Sequence, residues 1–121
     1  MFIVETDNSK RLFVISVAGQ VSAEEAKETA GRVHEVLEDV PAGFVALIDY
    51  RWLESMATAA APFVGEIMDA LAAKKVSAVV RVVPDPHKDI GLNILSQFHY
   101  GPEIRVMTFE SLADAVQSLV A

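Results

Sequence analysis

Phe44-Val-Ala-Leu-Ile-Asp49 is the stretch on which the fold turns. Apolar residues run without interruption and end on an acid. A strand with one face in water alternates apolar and polar residues, whereas a strand covered on both faces reads as a continuous apolar run. Residues 44–48 therefore predict a central parallel strand with helices packed over the sheet.

Upstream of it, Ser22 and Glu25 have the spacing of a capping box, in which the hydroxyl accepts from a backbone amide three residues on. Val21 and Ala26 are placed to pack across that helix start. Ala26, Ala30, Val33, Leu37 and Val40 then follow at spacings of three and four and form one apolar stripe. Glu24, Lys27, Glu28, Arg32 and Glu35 lie off it, and Pro41 and Gly43 stop the helix. Earlier still, Phe2 to Glu5 and Leu12 to Val17 read as two strands joined by the turn residues Asp7, Asn8 and Ser9, which predicts a hairpin. Gly19 is read as the end of the second strand.

Downstream, Asp49 to Thr58 reads as a loop carrying Tyr50, Arg51, Trp52, Leu53 and Glu54. The helix after it has Phe63, Ile67 and Leu71 on one stripe, with Val64 and Met68 beside it. Either Thr58 caps this helix or Pro62 opens it. Ala78 to Val83 is a further buried strand, interrupted by Arg81. Asp85 and Pro86 open a third helix with Ile90, Ile94 and Phe98 on one face, ended by Gly101 and Pro102. Ile104 to Thr108 is the last strand. Ser111 and Asp114 open a final helix with Leu112, Val116 and Leu119 inward. The order is β-β-α-β-α-β-α-β-α: a single domain over residues 1–121, α/β in class, with one mixed sheet.

Composition narrows the function. The formal net charge is −7, with ten Lys and Arg against 17 Asp and Glu. Nucleic-acid binding neutralises phosphates with basic side chains, so this balance argues against it, and against attraction to an anionic membrane. No apolar run reaches the roughly 18 residues of a membrane span, and no signal peptide is recognisable, so a cytoplasmic location is expected. The absence of cysteine removes thiolate metal sites, disulfides and a Cys nucleophile.

No motif for chemistry stands out. Phosphate-cradling P-loop and dinucleotide fingerprints are missing, as are the G-x-S-x-G elbow and H-E-x-x-H, so no cofactor, metal or catalytic residue is assigned. His34 reads as an exposed helix residue and His99 as a helix-end residue. His87, between Asp85 and Asp89, reads as part of a helix start rather than a metal ligand. Arg81 and Arg105 interrupt apolar strands. One is expected at an edge or snorkelling outward, the alternative being an anion site near the strand ends. Asp49 to Thr58 is the most unusual stretch, because ligands bind beyond the C-terminal ends of strands in open α/β sheets. Tyr, Trp and Arg are also the residues most enriched where proteins bind one another. The plain alternative is that Trp52 and Leu53 close the edge of the core.

Taken in order, Val14-Ile-Ser-Val-Ala-Gly19, Ser22-Ala-Glu-Glu-Ala26, Phe44-Val-Ala-Leu-Ile-Asp49 and Glu110-Ser-Leu-Ala-Asp-Ala115 resemble the STAS domain family. That family includes bacterial anti-sigma factor antagonists and the cytosolic domains of sulfate transporters. The resemblance implies a regulatory, non-enzymatic protein-binding module in bacteria. It also implies a phosphorylated hydroxyl in an Asp-Ser-Ser-Gly turn opening the second helix. Ala57-Thr58-Ala59-Ala60 stands in that place, so only Thr58 keeps a hydroxyl, and the branch is a divergent one. The resulting expectation is a partner site at Tyr50, Arg51, Trp52, Glu54, Thr58, Val64 and Met68, with Thr58 as the modification site. The partner is another protein or a second copy of the chain. The alternative is a small apolar ligand or lipid carried in a pocket at the same end of the sheet.

Overall fold

A computed structural model describes residues 1–85 and 90–120, with the Ile90 side chain left aside. The apolar run, from Val45 on, lies in the third of five strands. These are β1 (Phe2–Asp7), β2 (Leu12–Val21), β3 (Val45–Met56), β4 (Ala78–Val82) and β5 (Arg105–Phe109). The helices are α1 (Ala23–Leu37), α2 (Ala61–Ala73), α3 (Ile90–His99) and α4 (Leu112–Val120), with a 3-10 turn at Thr58–Ala60 before α2. The sheet order is β1-β2-β3-β4-β5. The hairpin pair β1–β2 is antiparallel and the other pairs are parallel. The predicted class, element order and mixed sheet are all present.

Two layers of core follow from the alternation of side chains along the strands. Phe13, Ile15, Val17, Ile48 and Val79 pack against the inward stripes of α1 and α2 and against Leu92 and Tyr100. Each fully buried aliphatic or aromatic side chain in this layer stabilises the fold by roughly 1.5–3 kcal/mol. Leu47, Val80 and Val82, on the opposite face, pack with Ala115, Leu112 and Leu119 of α4. The α1 stripe from Ala26 to Leu37 is buried as predicted, but the helix stops at Leu37 rather than at Pro41, and Val40 is buried from the turn that follows it. Ser22 Oγ accepts from the Glu25 backbone N–H at 3.1 Å. In α4 the inward residue is Ala115, whereas Val116 is exposed, which corrects the predicted stripe.

The strands run further than their composition indicates. Asp49 to Met56 is not a loop: β3 continues through it, and β2 continues past Gly19 to Val21. The twelve residues of β3 pair with the ten of β2, so β3 carries extra residues between Asp49 and Trp52 and between Leu53 and Ser55. Each such bulge reverses which side chain faces the core. Unbroken alternation from Ile48 would turn Trp52 inward. Instead Leu53 and Met56 pack on the helix side, and Trp52 stands out, 64% exposed. Gly19 sits opposite Leu53 with φ +72, a conformation L side chains rarely adopt, and there it accommodates the second irregularity.

Helix α3 also departs from expectation. Leu92, Ser96 and Tyr100 face the core, while Ile94 (49% exposed) and Phe98 (82% exposed) point to solvent. Two polar contacts accompany this orientation. Arg81 Nη1 donates to Ser96 Oγ at 3.3 Å, and His99 Nδ1 lies 2.7 Å from Asp69 Oδ1 on α2. The predicted helix start at Pro86 and the His87 segment lie outside the described residues.

Candidate functional site

At the C-terminal edge of the sheet, the end of β3, the 3-10 turn and the first half of α3 enclose an open groove of about 430 Å³. Leu53, Met56, Ala61, Leu92, Ile94 and Leu95 make its apolar walls, and Glu54, Ser55 and Thr58 supply its polar atoms. Local sequence explains the opening. The two bulges carry β3 beyond the helix layer. Ala57 and Ala61, which line it, are too small to fill the space between the strand end and α3. Phe98 follows Ile94 by one helical turn and extends the apolar surface along α3.

Thr58 is exposed and begins the 3-10 turn, so it does not cap a long helix. Helix α2 starts at Ala61, with Pro62 in its first turn and no side-chain cap. Proline is tolerated there because the first backbone N–H groups have no intrahelical acceptor. The first-turn amides give this end a positive partial charge beside the Thr58 hydroxyl.

The expected site residues separate into distinct environments. Glu54 and Thr58 line the groove. Tyr50 and Arg51 line a neighbouring pocket of about 190 Å³ with Val83, Pro84 and Asp85, and Leu53 and Leu92 divide it from the groove. Val64 and Met68 are buried and, with Tyr50, border an internal void of about 20 Å³. A void of that size holds about one water molecule. Neither residue is an exposed contact, and neither covers a cavity large enough for a ligand. Trp52 stands on the α4 side of the sheet with the Arg51 guanidinium 5.5 Å from its ring centroid.

Charge in the site is held by pairing. Asp49 turns to the α4 face and takes a fork from Arg51, with Nε at 3.0 Å from Oδ1 and Nη2 at 2.9 Å from Oδ2. The Arg51 backbone N–H also donates to Oδ1 at 3.0 Å. Hydrogen bonding to Asp49 raises the Arg51 pKa. Arg81 neither snorkels nor lies at an edge: it is 2% exposed, on the helix side, among Ser96, Tyr50 and Tyr100. Ser96 Oγ bonds back to the Leu92 carbonyl at 3.0 Å, which leaves its lone pair for the guanidinium. Burial lowers the Arg81 pKa and raises those of Tyr50 and Tyr100, with the positive charge of Arg81 opposing the rise in both tyrosines. Arg105 lies exposed on the edge strand β5.

Sequence reasoning missed the α3 wall. Ile94 and Phe98 read with Ile90 as one apolar helix face, yet Ile90–His99 contains apolar residues around most of its circumference and no Lys, Arg, Asp or Glu. A helix without Lys, Arg, Asp or Glu that turns one face to Arg81 and Asp69 leaves a second apolar face outward. Among the described residues, no three His, Asp or Glu side chains gather as metal ligands. Nor, among the described residues, is any helix long and apolar enough to cross a membrane.

A mixed sheet with an antiparallel hairpin at one edge, three helices on one face and one on the other is the STAS-like α/β fold. Solved structures share it. A protein of the DUF3478 family from Shewanella loihica, uncharacterised and with a SpoIIAA-like fold, has a TM-score of 0.72 at 18% identity, over 98% of this chain and 92% of that one. The anti-sigma factor antagonist SpoIIAA, unphosphorylated, has a TM-score of 0.67 at 16% identity, over 99% and 97%. An anti-sigma factor antagonist from Mycobacterium paratuberculosis has 0.61 at 19% identity, over 100% and 94%. No protein-family profile and no curated protein sequence matches the chain. At these identities the likeness is one of fold.

Proposed function

We propose that the chain is a non-enzymatic regulatory module, one domain acting in the bacterial cytoplasm, that binds a protein partner at the β3–α3 groove. The observation that carries this reading is the continuity of the open groove with the exposed Ile94 and Phe98 stripe. Contiguous apolar surface beside a polar rim marks interaction sites. Two antagonists of anti-sigma factors have the same fold, and one of them is also known in a phosphorylated form, which supports a regulatory role. Glu54, Thr58 and Ile94 are the contacts proposed first, with Arg51 and Trp52 on the adjoining edge. Tyr50, Val64 and Met68 support the site from beneath.

Thr58 is the proposed modification site. Its hydroxyl is exposed, lines the groove and sits at a helix start, where a phosphate is electrostatically favoured. Intact-mass measurement after incubation with extract of the source cells, with Thr58→Ala as the control, tests this. A phosphate adduct absent from the variant is expected, and its presence on both proteins refutes the assignment.

One observation favours a second reading. The groove volume falls within the roughly 300–1,000 Å³ of small-molecule sites, and its walls are apolar. Native mass spectrometry of freshly purified protein separates the two. A protein complex or an empty chain agrees with the interaction module. A stoichiometric apolar ligand, lost in Ile94→Asp, would replace that reading with a carrier.

A further inference from the structure

The groove has an electrostatic character that its apolar walls conceal. The segments that build it, 52–73 and 90–99, contain Glu54, Glu66 and Asp69 and no Lys or Arg. Glu54 is exposed at the groove itself. Glu66 is exposed five residues beyond Ala61 on α2, about 7–8 Å along the helix axis. It also projects about 140° round the helix from Ala61, so at physiological salt its charge is largely screened from the groove and Glu54 is the acid at the rim. Asp69 accompanies His99 further along the α2–α3 seam. The nearest cation on the strand, Arg51, is already committed to Asp49.

We infer that the groove takes a basic amphipathic segment of a partner protein: an apolar stripe seated between Leu53, Met56 and Ile94, with Lys or Arg side chains against Glu54. This rests on the protein-interaction reading and adds the chemistry of the partner. A second copy of this chain fits poorly. Each copy carries a net charge of −7, and like charges brought together oppose association.

The test uses the full chain and synthetic peptides about 18 residues long that differ only in charge. One peptide places Leu and Phe at helical i, i+3, i+4 and i+7 spacing with Lys elsewhere. Its twin carries Glu in place of Lys, and a third scrambles the basic sequence so that the stripe is lost. Calorimetry should show the striped basic peptide binding at least about tenfold tighter than either other peptide. Ile94→Asp and Phe98→Asp alter exposed positions, so both variants fold, and both should weaken that binding about tenfold or more. Glu54→Lys should cost about fivefold. Glu28→Lys, the same charge change on exposed α1, should cost less than about twofold.

Equal binding of the acidic twin, still lost in Ile94→Asp, overturns the basic partner while leaving the groove as an interface. Binding of the basic peptide that is unaffected by Ile94→Asp and Phe98→Asp overturns the inference through non-specific attraction. If no peptide binds and the chain instead self-associates through the Ile94–Phe98 stripe, both the partner chemistry and the hetero-partner reading fail.

Discussion

Gly65→Ala probes how α3 is held against α2, and so what sets one wall of the groove. A Cβ at position 65 would lie 2.6 Å from His99 Nε2 and 2.8 Å from its Cε1. Those separations are about 1 Å inside ordinary contact between heavy atoms. The imidazole does not retreat freely, because its Nδ1 is 2.7 Å from Asp69 Oδ1. Two effects oppose each other. Alanine is favoured over glycine in a helix interior by about 1 kcal/mol. Overpacking costs typically about 1–3 kcal/mol, and a ring that swings away forfeits a half-exposed pair worth less than about 1 kcal/mol. The single variant should therefore lose about 0–2 kcal/mol. In a His99→Ala background the obstruction is gone, and the same change should gain about 1 kcal/mol. The coupling is then about 1–3 kcal/mol, with a change of sign. Urea unfolding of the four proteins of the cycle at neutral pH measures it from midpoints at constant slope. If Gly65→Ala stabilises both backgrounds equally, the α2–α3 seam is not set by this contact.

Further outcomes follow from the backbone, the paired charges and the buried tyrosines. Gly19→Ala should destabilise by about 1–2 kcal/mol in denaturant unfolding: the site has open space around it, and the cost comes from its φ of +72. Lys75, at φ +66 just past α2, should show the reverse. Its N–H bonds the Ala72 carbonyl and that of Val76 the Leu71 carbonyl. Glycine favours this left-handed position, so Lys75→Gly should stabilise by about 0.5–1 kcal/mol, read from the same unfolding midpoints. Arg51→Ala strips the fork from the buried Asp49 carboxylate and should cost about 1–3 kcal/mol by the same measurement. The two tyrosines of the chain, Tyr50 and Tyr100, are both buried with raised pKa values. Their stabilising effect is complete below the unfolded tyrosine pKa of about 10 and is lost as pH climbs above it. Phenolate absorbance should therefore lag behind that of an exposed tyrosine in the native protein and appear together with alkaline unfolding. Ordinary titration of either tyrosine in folded protein would contradict its burial.

Much of the fold was legible because its signals are local or periodic. The Val45 to Ile48 run, the Ala26 to Leu37 stripe and the Ser22 cap each depend on a few neighbouring residues, and each is present in the fold. The candidate site was legible only in part. Glu54 and Thr58 line the groove, but Val64 and Met68 turned out to be core, and the α3 wall was not anticipated. Ile94 and Phe98 look like core residues in isolation. Their exposure depends on which face of α3 meets Arg81 and Asp69, side chains well removed along the chain.

The sequence by itself determined the alternation of strands and helices, the buried centre of the sheet, the acidic surface and the absence of motif-bearing chemistry. Hydrophobic period and capping are properties of short segments. Tertiary structure decided where β2 and β3 end, which way Trp52 and Leu53 point and which face of α3 stays uncovered. The physical reason is parity. One extra residue in a strand exchanges its two faces, and only the pairing of β3 with β2 reveals where β3 takes one.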